Sequence, residues 1–251
     1  EPNIDPYLLS GLTNLCSAVG PGVNGCLKPE LVQPGGRQVV AFSPLGNHIG
    51  ISGRQISHLG QVAAAPGDFG RLNRTVRSTG TSNAAALTTR AGIQIAGAVE
   101  EAFAAQGTDW LGLPTRAVVL KALLAHGCSW GEIGDILDEA YPPMARRHWH
   151  ARRKTIARFL GYGRPDADAV TAGATNRITL LGRDQIATEE LDEYRLPLPE
   201  ALLRSRELRR LTLTLAWSSP IFPGSLAYRG TKLQLVDRYG RRSFWEHVKS
   251  R

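Results

Sequence analysis

The spacing of apolar residues predicts three helices in the middle of the chain. Small and apolar residues recur at helical spacing from 82 to about 103, and similar runs cover 114–127 and about 143–160. Proline stands near the start of the second and third runs, and glycine ends the second and follows the third. Both residues are typical of those positions in helices. Small residues occur on nearly every side of the first run, so we expect neighbours to pack around most of it.

Strand-like patterns lie before and after these helices. Residues 37–42 have strand composition, whereas the glycine-rich and polar segment 43–79 predicts mostly loop with one short strand at about 48–52. After Pro165, strand composition recurs at 177–181, 211–217 and 232–236. In 211–217 the leucines and the tryptophan alternate with threonines, which predicts one apolar and one polar face.

This order of elements predicts an α/β protein with two domains. Helices that follow a strand-containing segment are typical of the second half of an α/β domain. The change of pattern after Pro165 predicts a small antiparallel β domain of the sandwich type. We expect the boundary between 165 and 176, giving domains at 1–170 and 171–251.

Composition places the chain among globular proteins. Of its 251 residues 42% are hydrophobic and 7% aromatic, which suffices for a sizeable core. No stretch reaches the roughly 18 uninterrupted apolar residues of a membrane span, so we expect no membrane partner. Cys16, Cys26 and Cys128 lack a metal-ligand spacing. The spacing allows a bridge between Cys16 and Cys26, but reduced thiols are expected instead, which slightly favours the cytoplasm.

The net charge of +8 raises the alternative of an acidic partner such as nucleic acid. Basic and aromatic residues alternate in 146–154, where arginines flank His148, Trp149 and His150. Such a helix can contact phosphates and stack on bases. We favour instead a solvated helix face with Trp149 packed inward, which makes nucleic acid an unlikely partner.

Gly80-Thr81-Ser82 precedes an alanine-rich run, so Ser82 lies at the predicted start of the first helix. Unpaired backbone N–H groups and the positive end of the helix dipole favour negative charge there. An attacking serine needs such a place, because the tetrahedral intermediate carries an oxyanion. Thr81 or Ser82 equally suits a helix cap, so the turn alone leaves both interpretations open.

Four segments resemble a known family, in the order in which the family has them. They are GTSNAAA at 80–86, KPELVQPGG at 28–36, LKALLAHG at 120–127 and LGYGRP at 160–165. The first resembles the Gly-Thr-Ser-x-Ala signature around the nucleophile of subtilisin-like serine peptidases (subtilases), and the second resembles the Lys-Pro-Asp/Glu segment that precedes it. The others resemble the helix after the nucleophile helix and the Gly-Tyr-Gly run near the end of the catalytic domain.

The resemblance implies a fold and an activity. Residues 1–170 would be the C-terminal part of the subtilisin-like three-layer domain. Residues 171–251, with LPLP at 196–199 and TLTLAWSSP at 212–220, resemble the C-terminal β domain of one bacterial branch. Ser82 would be the nucleophile in hydrolysis of a protein or peptide substrate, with Gly80 and Thr81 contacting that substrate. No metal and no other cofactor is expected; the acidic cluster within 135–139 fits a solvent-facing surface.

In this family the catalytic aspartate and histidine both precede the catalytic serine, in the chain order Asp, His, Ser. Neither the aspartate motif nor the His-Gly-Thr motif occurs before Lys28, and Asn14 lacks the context of the family's oxyanion asparagine. None of the six histidines fits the base by position: His48, His58, His126, His148, His150 and His247. The missing N-terminal part of the catalytic domain is therefore expected upstream, and the isolated chain is expected to have little or no peptidase activity.

One departure concerns the nucleophile helix. Subtilases commonly have proline four residues after the serine and then His-Val-Ala-Gly, whereas 86–90 here are Ala-Leu-Thr-Thr-Arg. This leaves a second hypothesis, a catalytically inactive subtilase-like module that binds a partner through its β domain. The third is the basic nucleic-acid-binding protein described above.

Overall fold

The computed structural model describes residues 12–42, 48–51, 59–141, 148–173, 177–197, 200, 210–224, 231, 233, 235 and 236. Its helices are α1 (Thr81–Ala104), α2 (Arg116–His126), α3 (Gly131–Ala140), α4 (Trp149–Leu160) and α5 (Ala167–Thr171). Its strands are β1 (Val40–Phe42), β2 (Ile49–Ile51), β3 (Gln61–Ala65), β4 (Arg74–Ser78), β5 (Cys128–Ser129) and β6 (Arg164–Pro165). Short 3₁₀ turns occur at Val23–Gly25 and Asp68–Gly70. The architecture is broadly α/β, as predicted.

The strands form three antiparallel pairs, β1 with β2, β3 with β4, and β5 with β6. Val40 lies opposite Ile51 in the first pair, and Cys128 lies opposite Pro165 in the last. The pairing of β3 with β4 is the longest, with Gln61 opposite Ser78. Each sheet is therefore small, and helices account for most of the regular structure described.

The chain divides into two compact units. The first comprises Glu1–Ile93 and Cys128–Pro165, and the second comprises Gln94–Gly127 and Asp166–Arg251, so α1 contributes residues to both. Buried apolar residues of the first unit are Val39, Val40, Ala91, Ile156 and Leu160, and those of the second are Ile95, Val99, Trp110, Val119, Leu123, Ala167 and Val170. The predicted division into 1–170 and 171–251 stays a prediction.

The three predicted helices are present. The first spans 81–104. The second begins two residues later than expected and is capped by Gly127, and α4 is capped by Gly161. The proposed start of the third helix, at 142–147, lies outside the described residues. The expectation that neighbours pack around most of α1 is wrong: Ala91, Ile95 and Val99 form one buried stripe, while Ile93 between them is 67% exposed. Their spacing of four residues places the three on a single face.

Two strand predictions need correction. The segment 43–79 contains β2 as expected, but residues 61–78 form the β3–β4 hairpin instead of loop. The strands predicted at 177–181 and 211–217 are wrong, since only Arg177 there forms an isolated bridge. Leu211 and Leu215 are exposed, so their alternation with threonine does not build a buried face. Of the strand predicted at 232–236, only 233, 235 and 236 are described, with a single bridge at Val236.

Candidate functional site

The predicted nucleophile lies in a tight passage from strand to helix. Strand β4 ends at Ser78 and α1 begins at Thr81, so Ser82 is the second residue of the helix. Gly80 has φ of +139°, a backbone conformation that residues with a Cβ rarely adopt. Ser82 is exposed at this helix start. Its position agrees with the prediction from the sequence, and its hydroxyl faces no packed core.

The turn is fixed from a distant part of the first unit by the segment Pro34-Gly35-Gly36. The backbone N–H of Gly80 donates to the carbonyl oxygen of Gly35 at 2.7 Å. A Cβ on Gly35 would lie 2.8 Å from the carbonyl oxygen of Gly80, and one on Gly36 would lie 2.9 Å from Cγ2 of Thr79. Both glycines are therefore required for this close approach.

Asn83 ties the turn together and was missed in the sequence. Its side-chain amide donates to the carbonyl oxygens of Ser78 at 2.8 Å and Gly35 at 3.4 Å, and its Oδ1 accepts from the hydroxyl of Ser78 at 3.1 Å. An asparagine in the first turn of a helix was the available signal, because its side chain can bond nearby backbone groups. These bonds fix the residues on both sides of Ser82, while the Ser82 hydroxyl takes part in none of them.

The helix start offers hydrogen-bond donors for an anion. The backbone N–H of Asn83 donates to the carbonyl oxygen of Gly80 at 3.2 Å. The N–H groups of Thr81 and Ser82 have no backbone acceptor within the described residues. No acidic residue lies in the first turn of α1. Two donors and the positive end of the helix dipole therefore lie beside the Ser82 hydroxyl.

Three of the four family-like segments meet in the first unit. The segment 28–36 contacts the other two: residues 34–36 contact Gly80, and residues 29–32 contact the segment 160–165. Tyr162 N–H donates to Glu30 O at 2.8 Å, and Val32 N–H donates to Gly163 O at 3.1 Å. Gly161 has φ of +59°, and a Cβ there would collide with the carbonyl oxygens of Pro29 and Glu30. The fourth segment, at 120–127, lies on α2 in the second unit.

Asn14 does not have the sequence context of the family's oxyanion donor, and in the structure its side chain holds backbone segments together. Its amide donates to the carbonyl oxygen of Gly36 at 2.8 Å, and its Oδ1 accepts from the N–H of Cys16 at 3.2 Å. It thereby supports the glycine pair behind the turn of Ser82. All three cysteines are thiols in the structure, as expected. Burial raises the pKa of Cys128 to about 12.

None of the described histidines is hydrogen-bonded to Ser82. His48, His148 and His150 are exposed, whereas His58 and His247 lie outside the described residues. Nδ1 of His126, in the second unit, lies 3.0 Å from the hydroxyl of Thr214. His126 lies in the last turn of α2, where the helix dipole favours a protonated ring, but burial and then Arg210 lower its pKa. Desolvation and a neighbouring positive charge outweigh the helix dipole here.

The basic segment of α4 is engaged within the protein. Nε of Arg152 lies 2.6 Å from Oδ1 of Asp138 on α3, whose acidic cluster is solvent-facing as expected. The guanidinium carbon of Arg153 lies 4.3 Å from the ring centre of Trp130 and 5.0 Å from that of Trp149. The expected inward packing of Trp149 is wrong, because half of it is exposed. Arg146 and Arg147 lie outside the described residues.

Within the part of the chain that the structure describes, no group of three or more histidine, cysteine, aspartate or glutamate side chains is arranged to hold a metal ion. No helix there is both long and apolar enough to cross a membrane. Comparisons of the chain with protein-family models, with curated proteins and with solved structures found no match.

Proposed function

We propose that this chain is the C-terminal portion of a subtilisin-like serine endopeptidase, with Ser82 as its nucleophile. The observation that carries the proposal is the turn from strand to helix at Gly80–Ser82. It exposes the Ser82 hydroxyl beside two backbone N–H groups that have no backbone acceptor among the described residues, and it is fixed by Gly35 and Asn83. Of the other segments that resemble the family, 28–36 contacts this turn through Gly35, and 160–165 contacts 28–36 in turn.

In the proposed reaction the Ser82 oxygen attacks the carbonyl carbon of a peptide bond while its proton passes to a histidine. The carbonyl oxygen becomes an oxyanion, which the N–H of Ser82 stabilises with help from the helix dipole. The intermediate then collapses, the amine leaves with the proton from the histidine, and water hydrolyses the acyl-enzyme. Gly80 and Thr81 line the approach of the substrate backbone.

The aspartate and histidine of this triad are proposed to lie N-terminal to residue 1. The family order Asp, His, Ser requires both before Ser82, and neither His48 nor His58 has the family's neighbours. The fold proposed with them is the subtilisin-like three-layer domain, which 1–170 would complete. For 171–251 we propose an accessory β domain, on the resemblance of 196–199 and 212–220 alone.

The test uses the protein expressed with its upstream coding sequence. A fluorophosphonate probe, which reacts with an activated serine, is expected to label Ser82, and Ser82→Ala is expected to abolish labelling and peptide hydrolysis. Ser218→Ala is the matched control, since it removes another exposed serine. The upstream sequence is expected to hold an aspartate motif followed by His-Gly-Thr. Unlabelled Ser82 in that longer protein would mean an inactive module instead.

A further inference from the structure

The β3–β4 hairpin (residues 61–78) is exposed on both faces. On β4 only Ser78 is not exposed, and on β3 the exposed residues Val62 and Ala64 alternate with half-buried ones. At the tip, Phe69 and Leu72 are fully exposed. A two-stranded hairpin in water is marginally stable. Among the described residues no third strand pairs with this hairpin, and its tip is uncovered.

Both strands of the hairpin also have an open edge along most of their length. β3 and β4 pair only with each other among the described strands. Contacts with another segment occur at the base, where Gln61 Nε2 donates to Pro34 O at 2.5 Å and Arg37 N–H donates to Leu59 O at 2.9 Å. Every second residue of an edge strand points its N–H and C=O outward, which is where an extended peptide can add.

The charges of the hairpin are mostly positive. Arg71, Arg74 and Arg77 are exposed, and Asp68 is its one acidic residue. Asp68 lies 3.8 Å from Arg74 across solvent, which leaves most of the positive charge without compensation. Arg74 lies opposite Ala65 and Arg77 lies opposite Val62, so each face of the hairpin combines small apolar residues with one arginine.

We propose that the β3–β4 hairpin binds an extended, acidic segment of the polypeptide substrate. This inference rests on the proposed peptidase function and names its substrate class. The open edge favours an extended peptide over nucleic acid, because only another strand can complete the backbone ladder. The arginines and the net charge of +8 disfavour a second copy of this chain and favour glutamate- or aspartate-rich segments. Phe69 and Leu72 supply apolar contact at the tip.

The hairpin leads directly to the nucleophile. Ser82 follows the last residue of β4 by four positions, and Arg74 is four residues before that end. At about 3.3 Å per residue, Arg74 lies about 13 Å along the strand from Ser78. Acidic residues about five or more positions from the scissile bond are therefore expected to lower KM, whereas shorter peptides gain nothing from the hairpin.

Binding can be measured without turnover in the upstream-extended protein carrying Ser82→Ala. The probe is a fluorescein-labelled 12-residue peptide in which glutamate alternates with valine; a second peptide has lysine for glutamate. We expect only the acidic peptide to bind. We expect two double variants, Arg71→Gln/Arg74→Gln and Phe69→Ser/Leu72→Ser, to raise the Kd for the acidic peptide at least about tenfold. Lys154→Gln and Val23→Ser, at exposed positions elsewhere, are the matched controls.

The outcomes separate this inference from the peptidase assignment. In protein that retains Ser82, the hairpin variants are expected to leave fluorophosphonate labelling unchanged while raising KM for long acidic substrates. If Ser82 is labelled but the hairpin variants change neither binding of the acidic peptide nor KM, the inference alone is overturned. Preferential binding of the hairpin to phosphatidylserine vesicles or DNA would also overturn the inference alone. Hairpin-dependent peptide binding without any labelling would overturn the substrate assignment together with the peptidase, leaving a peptide-binding surface.

Discussion

The side-chain amide of Asn83 donates a hydrogen bond of 2.8 Å to the backbone carbonyl oxygen of Ser78. Ser78 is the last residue of β4 and Asn83 the third of α1, so this bond closes the turn that presents Ser82. The hydroxyl of Ser78 returns a bond to the same side chain at 3.1 Å. A nucleophile must have its position set in advance, and the proposed role of Ser82 would rely on these neighbouring residues to set it.

Asn83→Ala is expected to lower the free energy of unfolding by about 1–3 kcal/mol, because it removes the side-chain hydrogen bonds to the partly buried carbonyl groups of Ser78 and Gly35. Urea unfolding measures this change. Gln94→Ala, an exposed amide on the same helix, is the control and is expected to change stability by less than about 0.5 kcal/mol. Equal effects of the two substitutions would show that the bonds of Asn83 contribute nothing.

Gly161→Ala is expected to destabilise the protein by at least about 2 kcal/mol, since φ is positive and a Cβ would meet the carbonyl oxygens of Pro29 and Glu30. Gly97→Ala is the matched control: it lies inside α1 with nothing within 4 Å of the added carbon. Alanine there is expected to stabilise by about 0.5–1 kcal/mol. Thermal unfolding is expected to show a lower Tm for Gly161→Ala and a higher Tm for Gly97→Ala. Similar changes in Tm for the two variants would contradict the packing described around Gly161.

Local signals in the sequence were sufficient for α1, α2 and α4, whereas the shorter helices α3 and α5 were not predicted. Gly127 caps α2 and Gly161 caps α4, as expected, because the spacing of apolar residues and a terminal glycine both act within one or two turns. The position of Ser82 at a helix start followed from the same signals. The hydrogen bond between Gly80 and Gly35 could not be predicted from local signals, since it joins residues far apart in the chain. The bond from Asn83 to Gly35 depends on the same approach of the two segments.

Strands were predicted less well, because their stability depends on partners. Strand β3 is rich in alanine and followed by Gly67 and Gly70, which favours loop on composition alone. The hairpin forms because Gly67 N–H donates to Arg71 O at 2.9 Å and Gly70 adopts a φ of +74°. Conversely, 211–217 has regular alternation but no neighbouring strand among the described residues, and Leu211, Leu215 and Trp217 stay exposed.

Acidification is expected to destabilise the protein through His126. Burial and Arg210 keep its folded-state pKa below the ordinary value of 6.5, so the unfolded chain binds the proton more readily. The contribution of His126 to the free energy of unfolding is fully present above pH 6.5. It is lost as the pH falls through 6.5 toward the folded-state pKa. Urea unfolding at pH 7.5 and 5.5 measures the loss.

His126→Gln is expected to reduce this dependence on pH, and Arg210→Gln to reduce it partly, because removing the positive charge eases protonation. His150→Gln removes an exposed histidine of α4 and is the control. A pH dependence that survives His126→Gln unchanged would assign the effect to other groups.

The thiols are expected to differ in reactivity in the folded protein. Only the thiolate reacts with iodoacetamide, and burial raises the pKa of Cys128 to about 12, so about one thiol in 10⁴ is ionised there at pH 8. Cys16 is exposed and is expected to react first. Mass spectrometry after short labelling at pH 8 identifies the modified positions. In urea the rates of the two cysteines are expected to converge, since burial is the cause of the difference. Equal native rates would place the Cys128 thiol in contact with solvent, against the packing of β5 beside β6.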